Sequence, residues 1–147
     1  MERSGGCLCG EVRFQCNNEP MFQFVCHCED CRKQHSSIFG SYVSYGASDF
    51  KFTSGNEDKL SKNHSVGDSG EKKKRYFCGS CGSFIYFTIP QIPDALSIGV
   101  GLFDDPGFFA PNMQFYCKDK VANSELDLAV ASFETYPEEV KSLVHVK

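Results

Sequence analysis

Cysteine is the residue type whose number and spacing in this sequence point most directly to chemistry. The chain has nine cysteines, and seven of them form three tight clusters: Cys7 and Cys9; Cys26, Cys28 and Cys31; and Cys78 and Cys81. Cysteines two or three residues apart can converge on one ion when the chain turns, and thiolates are common ligands of Zn²⁺. The clusters therefore predict metal binding.

Other interpretations of the cysteines fit the sequence less well. A disulfide framework needs an oxidising compartment and usually an even count, whereas this count is odd. The first six residues, MERSGG, lack the apolar stretch of a secretory signal. Iron–sulfur clusters commonly use other spacings, and cysteines that serve as small buried hydrophobes need no spacing at all. Ligand softness therefore favours zinc.

The seven clustered cysteines divide naturally into four and three. Structural zinc sites are closed by four protein ligands, whereas catalytic sites have three and leave one position open. The count thus suggests one structural ion and one reactive ion. Spacing alone does not show which clusters share an ion.

Composition predicts one globular domain over residues 1–147. Hydrophobic residues make up 41% and charged residues 23% of the chain, which argues against disorder. A net charge of −4 argues against a dedicated nucleic-acid binder, and no apolar run approaches the ~20 residues that span a membrane. Without an export signal, we expect a cytoplasmic protein, with the nucleus left open as a second compartment.

Alternating polar and apolar residues predict a mainly β fold with little helix. Strands are predicted at residues 11–16, 22–26, 38–45, 50–52, 84–89, 96–102, 113–117 and 126–133. The polar stretch 56–74 is interpreted as a loop or hairpin. Residues 137–144 have a helix-like start, and a short helical turn after Cys28 is a further expectation.

Three segments together resemble a known family. They are residues 6–14 (GCLCGEVRF), 26–33 (CHCEDCRK) and 77–83 (FCGSCGS). They are similar to the G-x-C-x-C-G-x-V-x-F, C-H-C-x-x-C-R and F-C-x-x-C-G-S/T motifs of the glutathione-dependent formaldehyde-activating enzyme family, which includes the centromere protein V relatives. Motif order and separations agree, and the resemblance covers roughly residues 3–137.

The resemblance implies a zinc-containing β-tent fold of stacked antiparallel sheets. It also implies a structural zinc on Cys7, Cys9, Cys78 and Cys81, and a second, catalytic zinc on Cys26, Cys28 and Cys31 with its last position open to water or a thiol. The family reaction joins glutathione and formaldehyde into S-hydroxymethylglutathione, so the implied activity is that of a carbon–sulfur lyase or synthase. The implied partners are glutathione or another small thiol and an aldehyde, without nucleic acid or membrane.

Glutathione carries two carboxylates, so its site should offer cations. Arg32 and Lys33 follow the last cysteine of the middle cluster and are the first candidates. Residues 72–75 and 118–120 are further candidates, although such charge runs usually solvate a surface. His27 and His35 are candidate acid–base groups, although a lone histidine more often has an ordinary structural place.

Two features bear on whether the second zinc has an open coordination position and on which substrate its pocket binds. Cys16 and Cys117 are interpreted as inert buried thiols, with Cys117 as a fourth ligand of the second zinc as the alternative. Residues 32–37 lack a glycine and residues 113–120 lack a tryptophan that many relatives have, which predicts a reshaped pocket. The alternative to an enzyme is a non-enzymatic zinc-stabilised binding module, which a fourth protein ligand would favour.

Overall fold

Strands dominate the part of the chain that the computed structural model describes, which is residues 1–67, 70, 72–122, 124 and 131–134. These residues contain one α-helix, α1 (Glu29–His35), and several single-turn 3-10 helices. The strands in the same part of the chain are β1 (Arg3–Gly6), β2 (Arg13–Cys16), β3 (Phe22–Cys26), β4 (Gly40–Gly46), β5 (Phe50–Ser54), β6 (Leu60–Val66), β7 (Lys72–Cys78), β8 (Phe84–Thr88), β9 (Ala95–Gly99), β10 (Met113–Phe115) and β11 (Ala131–Ser132).

The strands form a small sheet and a large sheet. The small sheet has the order β1-β2-β5, and the large sheet has the order β11-β10-β3-β4-β9-β8-β7-β6. Neighbouring strands are antiparallel except around β10, which runs parallel to both β3 and β11. The predicted class, mainly β with stacked antiparallel sheets and little helix, is confirmed.

The two faces of the large sheet have different partners, because side chains alternate along each strand. Val43 of β4 and Ile98 of β9 are fully buried in the core that the large sheet shares with Phe14 of the small sheet. Phe24 of β3 and Phe87 of β8 belong to a second core on the opposite face. The middle cysteine cluster lies in this second core.

Helix α1 follows directly from β3 and is held by its own end groups. Glu29 and Asp30 lie in its first turn, and Arg32 and Lys33 lie in its last, which is the charge order that the helix dipole favours. Ser36 takes a positive φ of 49° and ends the helix. Cys26 at the end of β3, Cys28 at the start of α1 and Cys31 within it are therefore brought to one point.

Several finer expectations had different outcomes. Residues 56–74 contain β6 and the start of β7, which form a hairpin as one of the two interpretations predicted. The strand prediction for 96–102 is wrong at its end, because residues Val100–Leu102 form a 3-10 turn after Gly99. The predicted helix at 137–144, and all of 126–133 before residue 131, lie outside the described residues. No described helix is long and apolar enough to cross a membrane.

Candidate metal centres

The first candidate site is formed by the four cysteines of the first and third sequence motifs. The Sγ atoms of Cys7, Cys9, Cys78 and Cys81 all lie within 4.8 Å of one another. The Cys7–Cys9 and Cys9–Cys78 sulfurs are 3.5 and 3.8 Å apart. A tetrahedral site with zinc–sulfur bonds of about 2.3 Å separates its sulfurs by about 3.8 Å, so the four thiols fit a zinc ion.

Two similar turns present these four sulfurs. In the first, the Cys7 N–H donates to Val12 O at 3.0 Å, and in the second the Cys78 N–H donates to Ser83 O at 2.8 Å. Each turn passes through a glycine just after its second cysteine, with φ of 79° at Gly10 and 75° at Gly82. Glycine adopts this left-handed conformation without a Cβ clash, which lets the chain fold back around an ion.

Polar contacts join the two turns and favour ionised sulfur. The Leu8 N–H donates to Ser83 Oγ at 3.1 Å, and the Val12 N–H donates to Cys7 Sγ at 3.3 Å. The Ser83 hydroxyl, 3.2 Å from Cys81 Sγ, lowers the pKa of that thiol to about 5. The Ser80 hydroxyl donates to Glu11, so the second turn is also tied to the first through side chains.

The second candidate site is the trio of Cys26, Cys28 and Cys31. Its three Sγ atoms also lie within 4.8 Å of one another, and those of Cys26 and Cys28 are 3.4 Å apart. All three side chains are buried, with exposures of 3%, 7% and 2%. All three thiols are free, so no disulfide links them.

The trio's protonation indicates a site that suits a cation. Hydrogen bonding to Cys28 raises the pKa of the Cys26 thiol, while the bond from Cys26 lowers the pKa of Cys28. Negative charge on three adjacent sulfurs is costly in a buried place. A divalent cation removes that cost, so the donor set fits zinc as a soft, thiolate-binding ion.

Among the described residues, the trio has no fourth protein ligand. No other cysteine, histidine or carboxylate joins the group within 4.8 Å. Cys117 lies outside it, half-buried, with its Sγ 3.9 Å from Gln114 O. Cys16 is fully buried in the core between the sheets, and burial raises its pKa to about 12, as expected for an inert thiol.

Two cavities meet the trio, and they differ in character. One is apolar, with a volume of about 520 Å³ including the space at its mouth, and has Cys26 and Cys31 in its wall. The other is polar, about 570 Å³ on the same measure, and has Cys28 in its wall. Lys73 lines both, so it lies at the boundary between them.

The cationic side chains predicted to bind substrate differ in their position relative to the two cavities. Arg32 lines the polar cavity, and its buried Nε has no hydrogen-bond partner among the described residues. Lys33 has a side chain 75% exposed that pairs with Glu29 at 2.5 Å, and neither cavity has it in its wall. Lys73 comes from the charge run at 72–75. Burial lowers its pKa, but the neighbouring trio thiols raise it by more, so the amine is charged.

The two candidate histidines are packed inside the protein. His27 is fully buried, with its Nε2 3.0 Å from Gln114 Oε1. The His35 ring packs edge-on against Tyr42 and Phe84, at centroid distances of 5.0 and 5.1 Å. Burial lowers the pKa of His35 to about 4, so it is neutral at pH 7. These contacts favour structural roles, and an acid–base role for either residue stays a prediction.

A partly buried ion pair holds the helix that carries Cys31. Arg75 of β7 donates to Asp30 Oδ2 at 3.2 Å and also to the Ser65 hydroxyl of β6. The Arg75 side chain is only 7% exposed. Sequence reasoning missed this anchor, and it also missed the phenylalanines beside the trio. The pattern Phe22-x-Phe24-x-Cys26 could have revealed the latter, because alternate residues of a strand share a face.

Comparison with known proteins agrees with this arrangement. A crystal structure of a Rhodobacter sphaeroides protein superposes with a TM-score of 0.55 at 21% identity, covering 69% of this chain and 87% of that one, which shows a common fold. An uncharacterised lyase of Schizosaccharomyces pombe is 30% identical over 104 residues, which is 69% of each chain.

The family comparison covers both cysteine sites. The sequence model of the family described as "Glutathione-dependent formaldehyde-activating enzyme" matches residues 2–119. This range includes all seven clustered cysteines, α1 and Lys73. The chain therefore belongs to the glutathione-dependent formaldehyde-activating enzyme family.

Proposed function

We propose that this protein is a zinc-dependent carbon–sulfur lyase or synthase that acts on adducts of glutathione with an aldehyde. One zinc, on Cys7, Cys9, Cys78 and Cys81, stabilises the fold. A second, on Cys26, Cys28 and Cys31, serves the reaction. The observation that carries the proposal is the buried trio of sulfurs, which has no fourth ligand among the described residues and borders two cavities.

The reaction is a reversible addition. In the synthetic direction, the thiol sulfur forms a bond to the carbonyl carbon, the carbonyl π-bond breaks, and the thiol proton ends on the new hydroxyl. In the lyase direction, the carbon–sulfur bond breaks and the proton returns to sulfur. Zn²⁺ held by the trio would supply a Lewis acid that favours the thiolate form of the incoming thiol.

The chain's own side chains bind and orient the thiol. The polar cavity offers two cations, Arg32 and Lys73, and glutathione has two carboxylates. Its wall also includes Asp119, which suits the single ammonium group of glutathione, together with Glu29 and Asp30, which pair with Lys33 and Arg75. Holding the thiol and the aldehyde together removes translational entropy from the barrier. The free thiols suit a reducing compartment, which supports a cytoplasmic location as part of the proposal.

The test must separate catalysis from an uncatalysed reaction that is already quick. NMR exchange spectroscopy measures how fast the adduct of glutathione with formaldehyde exchanges with its free components. We expect the zinc-loaded protein to accelerate this exchange, and Cys28→Ser to abolish the acceleration while one zinc per chain remains bound. Cys117→Ser is the matched control and should keep both zinc ions and the full rate.

Two results would contradict the proposal. One is an exchange rate equal to the spontaneous rate in the presence of the fully loaded protein. The other is a Cys28→Ser variant that keeps two zinc ions. Tight glutathione binding without accelerated exchange would instead support the alternative, a zinc-stabilised binding module.

A further inference from the structure

The apolar cavity is more hydrophobic than a one-carbon aldehyde requires. Its wall is mostly aromatic and aliphatic, and six residues provide that character: Phe22, Phe24, Phe87, Ile89, Ile92 and Phe115. Its volume of about 520 Å³ includes the open space at its mouth. Its polar side chains, beyond the two cysteines, are Lys73, Ser97 and Tyr116.

The cavity begins at the trio and extends along β3. Phe22, Phe24 and Cys26 occupy alternate positions of this strand and face the same core. At about 3.3 Å per residue, the stretch from Cys26 to Phe22 provides an apolar wall about 13 Å long. A group attached to a carbon beside the trio therefore has a hydrophobic path leading away from it.

The wall is rigid because its rings pack on one another. Phe24 contacts Phe22, Phe87 and Phe115, with ring centroids 5.5, 6.5 and 5.0 Å apart. Ala95 of β9 has the smallest side chain in the wall of the cavity. A preformed apolar pocket binds an apolar group without first having to order its own side chains.

The charged side chains that line each cavity indicate which half of the adduct it suits. Arg32 and three carboxylates line the polar cavity, where a zwitterionic thiol such as glutathione finds complementary groups. Charged groups would lose hydration in the apolar cavity without gaining partners, apart from Lys73. The apolar cavity thus suits the aldehyde half and not the thiol half.

We infer that the aldehyde half of the natural substrate carries a hydrophobic chain or ring that fills the apolar cavity. The substrate class is then the hemithioacetal of a zwitterionic thiol with an apolar alkyl or aryl aldehyde. This inference rests on the proposed function in one respect, since it takes the trio as the place where thiol and aldehyde meet.

Binding of stable thioethers tests the inference without turnover. S-Methylglutathione and S-hexylglutathione carry the same charges and differ by five methylene groups. Calorimetry on the zinc-loaded protein should show the hexyl compound binding at least about 30-fold more tightly, because each buried methylene favours binding. Equal affinities for the two thioethers would overturn the inference and leave the proposed function intact.

A cavity-filling variant locates the effect. Ala95→Leu should reduce the preference for the hexyl compound by at least about 10-fold and leave affinity for the methyl compound unchanged, since it occupies space only in the apolar cavity. Ala110→Leu makes the same change at an exposed position and should keep the preference. If Ala95→Leu does not fold, Ile89→Asp takes its place at a half-buried position directly after β8, and we expect the same loss of preference. A preference that survives in the folded variant would contradict the inference.

A thiol-free probe separates this inference from the proposed function. We expect n-hexanol to shift the NMR methyl signals of Ile89 and Ile92 in the wild type and not in the cavity-filling variant. If n-hexanol does so while neither thioether binds, the glutathione assignment fails and the apolar site stands. If n-hexanol shifts neither signal and the thioethers bind equally, the apolar site fails.

Discussion

The two cysteine sites differ in exposure, and the less exposed of them is the one that borders the two cavities. The four-cysteine site lies near the surface, with Cys9 exposed and Cys81 half-exposed. The trio is buried, yet it is the trio that borders two cavities. Four sulfurs can saturate an ion, whereas three leave a position for another ligand. In the proposed function, the number of ligands, rather than the distance from bulk water, distinguishes the structural centre from the reactive one.

The surroundings of each site agree with this division. Around the four-cysteine site, backbone N–H groups and the hydroxyls of Ser80 and Ser83 tie two turns together, which stabilises structure. The trio instead borders two cavities, with Arg32 in the wall of one, phenylalanines in the wall of the other and Lys73 in both. These surroundings agree with the proposal that the first site holds two distant parts of the chain together and the second receives a ligand.

Loss of a ligand from the four-cysteine site should have the largest effect on stability. Cys78→Ser is expected to lower the free energy of unfolding by more than about 4 kcal/mol, because structural zinc binding is part of folding. Cys16→Ser is the matched control, since Cys16 is equally buried but lies in neither cluster. Urea unfolding measures both. A cost for Cys78→Ser no greater than that for Cys16→Ser would contradict a structural role.

Metal removal should proceed in two steps. A chelator is expected to take the ion from the trio at a concentration at least about 100-fold lower than it needs for the four-cysteine site, because three ligands hold an ion less tightly than four. Far-ultraviolet circular dichroism should not change in the first step and should be lost in the second. Metal analysis of the filtrate measures the release of zinc at each chelator concentration. Simultaneous release of both ions would contradict the distinction between the sites.

Substrate affinity should depend on the cation that lines the polar cavity and not on its sequence neighbour. Arg32→Gln is expected to weaken glutathione binding by about 10- to 100-fold, as loss of a charge-assisted hydrogen bond does. Lys33→Gln should change it less than twofold, because Lys33 is exposed and paired with Glu29. Calorimetry measures both affinities, and equal losses would remove Arg32 from the proposed site.

Acid should destabilise the fold through His35 before it does so through Glu11. The folded pKa of His35 is about 4, below its usual 6.5, so unfolding takes up a proton and stability falls as pH drops from 6.5 towards 4, by up to about 1.4 kcal/mol per pH unit. His35→Phe should remove this slope. The Ser80 hydroxyl lowers the pKa of Glu11, so that group's contribution is lost only as pH falls below 4.5. A Glu11→Gln variant that alters the pH dependence of stability between pH 6.5 and 5 would contradict this order.

Sequence predicted the strands and clusters because local patterns encode them. The segment at 22–26 was predicted with its observed bounds, since Phe22, Phe24 and Val25 have high strand propensity. The β1 strand was missed because Ser4, Gly5 and Gly6 have low strand propensity. Tertiary contacts make that strand, and a Cβ on Gly5 would lie only 2.6 Å from Leu102 O.

Only those parts of the site that are formed by residues close together in the sequence could be predicted. Motif spacing identified the seven clustered cysteines, whereas the cavities depend on strands far apart in the sequence. Lys73 illustrates the difference, because a run of lysines and arginine looks like a solvated surface. The period of two along β7 instead directs alternate members of that run to different faces, and Lys73 reaches both cavities.

The central claim is that the two zinc ions have different numbers of protein ligands. The most direct test is zinc X-ray absorption on the protein loaded with two ions, before and after glutathione is added. The account predicts an average sulfur count per zinc midway between three and four, rising to four when the thiol of glutathione takes the last position on the trio. An average of four at the outset, or no change on adding glutathione, would contradict it.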